Sequence, residues 1–286
     1  MSDNSDSDRD YYHYDPALEA AAIFVAAYGI TMLIHSVQLA QKRTWYFIPF
    51  FIGGLFMFAG YLSRVLSIQQ APDYDQGPYI AQTLLILLAP ALYAASIYMI
   101  LGRIMILVQA ESYALFKRKW LTTVFVSGDV ISFVVQGAGG GIMASSDDQE
   151  GNDLGQTVIV FGLFVQIVVF GLFIIVTALF HWRITRQPTA RSQIITAPWL
   201  RYIYVLYVAS LLVMVRSIFR AAEFIGGRDS ELMTNEIYLY LFDTLLMFIV
   251  SVIFNFYHPS TIITKRSKEM MNLDEISYLS VRGEAV

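Results

Sequence analysis

Seven long apolar segments dominate the 286-residue chain, at about 18–39, 46–68, 79–108, 120–142, 155–180, 200–225 and 237–257, each bounded by charged or turn-forming residues. About 20 apolar residues in a helix cross a hydrocarbon core of about 30 Å. In lipid the backbone must satisfy its own hydrogen bonds, which a helix does. The pattern therefore predicts an all-α integral membrane protein, a bundle of seven transmembrane helices over residues 16–259. A disordered acidic tail is expected over 1–15 and a short tail over 260–286. The chain is 56% hydrophobic and 15% charged, against about 25% charged in soluble proteins, which excludes an ordinary soluble enzyme. The first fifteen residues hold no apolar run of signal-peptide length, so the first span doubles as the targeting element.

Lysine and arginine outside the spans fall on one side. Lys42, Arg43, Lys117, Arg118, Lys119, Arg183, Arg186, Arg191, Lys265, Arg266, Lys268 and Arg282 share it, against Arg9 and Arg228 on the other. That second side carries fourteen acids, among them Asp73, Asp75, Asp147, Asp148, Glu150, Asp153 and Glu231. The amino terminus is thus expected outside and the carboxyl terminus in the cytoplasm. Trp45, Trp120, Trp182 and Trp199 all fall at the expected cytoplasmic ends, where amphipathic rings favour the headgroup level.

A charged side chain at the bilayer centre costs at least about 2.5–3.5 kcal/mol, so ionisable residues within spans are candidate functional groups. Arg216, Arg220 and Glu223 stand at i, i+4 and i+7 and share one helical face. Asp129, near mid-depth in the fourth span, shares a face with Ser132 and Gln136, and Gln166 lies mid-depth in the fifth. Asp243, Arg64 and Gln82 fall toward the outer ends of the seventh, second and third spans. Two readings stay open: interhelical glue, at about 0.6 kcal/mol per hydrogen bond, or a hydrated outer-half cavity for the head of an amphipathic molecule. In the latter, Asp129, Glu223 and Asp243 meet a cationic amine while Arg216 and Arg220 position those carboxylates or bind a phosphate. Pro90 kinks the third span beside Tyr93 and Ser96, and neighbouring helices can satisfy the carbonyl it frees. The glycines at 137 and 139–141 permit either close helix approach or an unwound helix end.

Several classes are excluded by what is missing. All five lysines, at 42, 117, 119, 265 and 268, lie outside the spans, so no buried lysine forms a retinal Schiff base. No phosphate-binding glycine loop is present, so the chain does not hydrolyse ATP itself. There is no cysteine, and His13, His35, His181 and His258 follow no metal-ligand spacing. No cofactor, no metal and no nucleic-acid partner is expected. Receptor topology is kept as a rival, although Asp-Arg-Tyr and Asn-Pro-x-x-Tyr sequences are missing. A lipid hydrolase built on Asp129, Ser132 and a histidine is a third option.

The runs FAGYLSR (58–64), QTLLILLAPALYAASIYMILGR (82–103), DVISFVVQGAGGG (129–141), GLFVQ (162–166), RSIFRAAEF (216–224) and His258-Pro259 together resemble the fungal lipid-translocating exporter family. These are seven-span proteins related to the aminocholesterol-resistance protein. The resemblance implies plasma-membrane location, resistance to toxic amphiphiles, release or translocation of sphingoid long-chain bases, and porphyrin or haem handling in some relatives. In that family an acid precedes the Gly-Tyr pair by three residues; here Met57 stands there, which is expected to leave Arg64 short of a partner. Membrane lipids are the expected partners, an amphipathic lipid the substrate, and the small residues Ala17, Ala21, Ala22 and Ala26 allow a homodimer.

The chain contains no natural Asn-x-Ser/Thr acceptor, so the orientation has a direct test. An acceptor introduced ahead of Leu18 is expected to be glycosylated in microsomes and one introduced after Pro259 to stay unmodified; the reverse pattern overturns the orientation.

Overall fold

The computed structural model describes residues 16–70, 76–113, 118–146, 148–195, 197–227 and 230–261. Both tails, with His13 and the basic residues at 265–268 and 282, lie outside the described residues, as do Asp73, Asp75, Lys117, Asp147 and Arg228. The described residues are 90% helical with no strand. Among the described residues, seven helices are long and apolar enough to cross a membrane. They are α1 (Leu18–Lys42), α2 (Ile48–Ile68), α3 (Gln76–Leu107), α4 (Arg118–Ser145), α5 (Gln149–Arg186), α6 (Trp199–Gly226) and α7 (Glu236–Phe256). Successive helices are joined by short connections, some bearing single turns such as Ala190–Ile194 and Glu231–Thr234. The beginning of α1 defines the amino-terminal end of the bundle, and the end of α7 its carboxyl-terminal end.

Each span buries one strip and leaves the other for lipid. In α6 the buried strip includes Ala209, Val213, Arg216, Arg220 and Glu223, while Tyr204, Val208, Leu211 and Ile218 stay exposed. An aromatic core fills the carboxyl-terminal half of the interior: Phe50 stacks on Phe47 at 4.5 Å and on Tyr93 at 4.3 Å. Tyr98 and Phe173 meet at 4.5 Å. His35 is buried in this core rather than at the interface, its Nε2 3.1 Å from the Ser251 carbonyl. His258, just beyond α7, is packed edge-on to Phe47. Burial, with Lys42 nearby, pushes its imidazole down to about 3, so it is neutral at physiological pH. Its carbonyl accepts from Tyr202 at 2.8 Å, which fastens the end of α7 to α6.

Trp45, Trp120 and Trp182 are exposed at the carboxyl-terminal end, with Arg186 over the Trp182 ring. Trp199 departs from the expected interfacial anchor: it is buried, and its Nε1 donates to the Ser192 carbonyl at 3.4 Å.

The glycine run in α4 resolves as close approach, because the helix continues unbroken to Ser145. A Cβ on Gly139 would lie 2.7 Å from the Gly155 carbonyl oxygen, and one on Gly155 would lie 2.7 Å from that of Gly139. The α4 and α5 backbones therefore touch where only glycine fits. Gly140 and Gly141 face open space. Gly139→Ala is expected to cost about 1–3 kcal/mol and to lower the midpoint of thermal unfolding of the purified protein. Gly140→Ala should leave it unchanged, and equal shifts for the two would contradict this packing.

Candidate functional site

Near the amino-terminal end, α6 and α7 present matching ladders. Arg216, Arg220 and Glu223 occupy i, i+4 and i+7 of α6; Glu236, Tyr240 and Asp243 occupy the same spacing in α7. Arg216 donates through Nε to Asp243 Oδ1 at 2.5 Å, and the two side chains are 1% and 0% exposed. Arg220 Nη1 lies 2.8 Å from Glu223 Oε2 and 3.8 Å from Asp243 Oδ2. Arg64, from α2, donates through Nη2 to Glu236 Oε1 at 2.7 Å. The other Glu236 oxygen accepts from the Ala17 N–H at 2.8 Å, at the start of α1. Three guanidinium groups and three carboxylates thus compensate one another out of water, which satisfies the demand that buried charge be paired.

Pro90 contributes at a distance. It has no N–H to give the carbonyl four residues earlier, and that carbonyl, Ile86, accepts from Arg216 Nη2 at 3.2 Å. Arg216 therefore joins α3, α6 and α7. The turn Tyr240–Thr244 of α7 is a π-helix, and its wider turn brings the adjacent residues Asp243 and Thr244 both to 0% exposure. Such turns recur at functional sites. The Tyr61 hydroxyl hydrogen-bonds Thr244 Oγ1, and the Tyr28 hydroxyl donates to the Thr244 carbonyl at 2.9 Å.

The residues singled out in the sequence divide into separate groups. Arg64, Arg216, Arg220, Glu223 and Asp243 come together, and Gln82 is buried one turn before Ile86 on α3. Asp129 does not join them. It accepts from the Tyr98 hydroxyl at 2.8 Å between α3 and α4. On the same face of α4, Gln136 donates to Ser132 Oγ at 2.7 Å and to Gln166 Oε1 at 3.2 Å, and Ser132 donates to the Gly162 carbonyl at 2.5 Å. Tyr93 stands apart from both groups, filling the space beside Pro90 by stacking on Phe50 next to Gly53. Met57 is fully buried, yet Arg64 is not short of a partner, because Glu236 supplies the carboxylate from α7. Glu236 escaped notice as an acid in a connection; its i, i+4, i+7 relation to Tyr240 and Asp243 was the available signal.

A shallow cleft of about 300 Å³ lies at this same end, lined by Asp153, Gln156, Thr157 and Val160 of α5. Gln156 Nε2 donates to the Phe224 carbonyl at 2.6 Å, and Phe224 follows Glu223 and carries the Arg220 guanidinium over its ring at 5.3 Å. The cleft therefore borders the edge of the charge network. Asp243 itself is sealed behind Arg216.

Fold and site together define a multi-pass membrane protein with a buried, charge-balanced network toward one end. The chain belongs to the family described as RTA1 like protein, whose sequence profile matches residues 50–266. Protein RTM1 of Saccharomyces cerevisiae is 33% identical over 293 residues, covering 88% of this chain and 93% of that protein. Protoporphyrin uptake protein 1 of the same species is 34% identical, covering 85% and 90%. Sphingoid long-chain base transporter RSB1, also from Saccharomyces cerevisiae, is 26% identical over 88% of this chain and 74% of its own length. No solved structure matches the chain.

Proposed function

We propose that this chain binds an amphipathic lipid of the sphingoid-base kind and moves or releases it across the plasma membrane, with its amino terminus outside. The observation that carries the reading is the shallow cleft on α5, tied through Gln156 to Phe224 beside the Arg220–Glu223 edge of the network. A pocket of this volume holds a small head group, while the exposed apolar faces of α5 and α6, including Phe161, Leu211 and Ile218, offer lipid-like surface for a chain. The family supports it too, since the substrates printed in two relatives' names, protoporphyrin and a sphingoid long-chain base, both combine an apolar body with ionisable groups.

Among the acids read as ligands for an amine, Glu223 is the one next in sequence to Phe224, whose carbonyl accepts from Gln156 of the cleft. Asp243 is occupied by Arg216, and Asp129 belongs to another group of helices. The exposed Asp153 adds a second carboxylate at the cleft. A cationic head group settling there competes with Arg220 for Glu223, which couples occupancy to the network.

In reconstituted liposomes, the wild-type protein is expected to accelerate leaflet exchange of a labelled sphingoid base over empty liposomes. Asp153→Asn combined with Glu223→Gln should reduce that acceleration at least about tenfold, a loss of about 1.4 kcal/mol. Wild-type protein indistinguishable from empty liposomes would sink the transport reading and favour a lipid-sensing regulator.

A further inference from the structure

Among the described residues, the charge network leaves one buried acid unexplained. Asp129 is 3% exposed and lies within a turn of the middle of the span Trp120–Met143. Its Oδ2 accepts from Tyr98, and its Oδ1 has no hydrogen-bond partner among the described residues. Every element packed around it is neutral there. From α3 comes Tyr98, and the charged residue of that helix, Arg103, lies 3.7 Å over the Tyr46 ring. From α5 come Gln166, Phe170 and Phe173, the two phenyl rings lying against Tyr98. From α4 itself come Ser132 and Gln136. No arginine, lysine or histidine among the described residues pairs with it.

Asp129 and Asp243 are both aspartates within the bundle, but Asp243 meets two guanidinium groups and Asp129 meets one phenol. A carboxylate without a counter-charge in a medium of low dielectric neutralises itself by taking up a proton, and intramembrane acids in such settings serve proton relays. The chain also provides a polar stripe leading from Asp129 along the α4–α5 seam: Ser132, Gln136 and Gln166 are hydrogen-bonded to one another and run toward the amino-terminal end. We propose that Asp129 and Tyr98 form a proton-binding site in which Asp129 is a neutral acid at neutral pH, and that its proton exchanges with water through this stripe. The site stands whether or not the chain moves lipid. In a chain with no ATP-binding loop, it is a group able to couple another process to a proton gradient.

Infrared spectroscopy of the full chain in lipid bilayers reads this directly. The wild type is expected to show a protonated-carboxylic-acid carbonyl band at neutral pH that shifts in D₂O. The band should be lost in Asp129→Asn and retained in Asp243→Asn and Glu223→Gln. Tyr98→Phe keeps the acid and removes its donor, so it should move the band to higher frequency, and this variant serves if Asp129→Asn does not fold. A spectrum unchanged by both Asp129→Asn and Tyr98→Phe overturns the site. A band assigned to Asp129 that ignores D₂O overturns the exchange route. Neither outcome bears on lipid exchange, so this proposal and the transport reading fail separately.

Discussion

The Arg216–Asp243 pair is the contact on which the amino-terminal half of the bundle depends. Neither partner reaches water, so neither is tolerated there alone: removing one member of a buried pair costs about 3–5 kcal/mol because it strands the other. The pair also answers a defect elsewhere. Pro90 leaves the Ile86 carbonyl without a helical donor, and the guanidinium supplies one. A sequence with Pro90 but without Arg216 would bury an unsatisfied carbonyl in α3. The π-helical turn in α7 belongs to the same solution, since it turns Asp243 toward Arg216 while presenting Thr244 to Tyr28 and Tyr61.

Two polar systems of different character therefore sit within one apolar bundle. One links α1, α2, α3, α6 and α7 through balanced opposite charges, and its edge at Arg220 and Glu223 borders a cleft where a head group fits. The other runs between α3, α4 and α5, is held together by amide and hydroxyl groups, and contains a single acid facing a tyrosine. Helix α3 belongs to both, carrying Ile86 toward the first and Tyr98 toward the second, about three helical turns apart. Helix α3 thus touches both systems, with Pro90 between its two points of contact. The glycine contact of α4 on α5 brings the backbones close enough for Ser132 to bond the Gly162 carbonyl directly.

Much of the fold was legible because lipid makes the sequence pattern simple: long apolar segments must be helices, and a polar residue inside one must face inward. That logic identified the seven spans, the shared face of Arg216, Arg220 and Glu223, and the need for a neighbour to satisfy the carbonyl freed by Pro90. Periodicity states which face of a helix turns inward but not which helix it meets. For this reason the expected grouping of Asp129 with the arginines fails, since α4 packs on α3 and α5, and the expected lack of a partner for Arg64 fails, since α7 provides one. The π-turn was invisible because it is a response to tertiary contacts rather than a residue preference. Position alone puts Trp199 at the interface, whereas the ring is buried and Ser192, in the turn before α6, accepts its N–H.

Whether Arg216 and Asp243 are stable in the bundle only as a pair is read out by a double-mutant cycle on the purified protein in bilayer mimics. Unfolding free energies would be measured for Arg216→Gln, Asp243→Asn and the double variant. The double variant is expected to lose less stability than the two single losses combined, with a coupling of at least about 2 kcal/mol, since each single change strands a buried charge. Losses that add within about 0.5 kcal/mol would contradict it, and would mean that the two charges are held by groups other than each other.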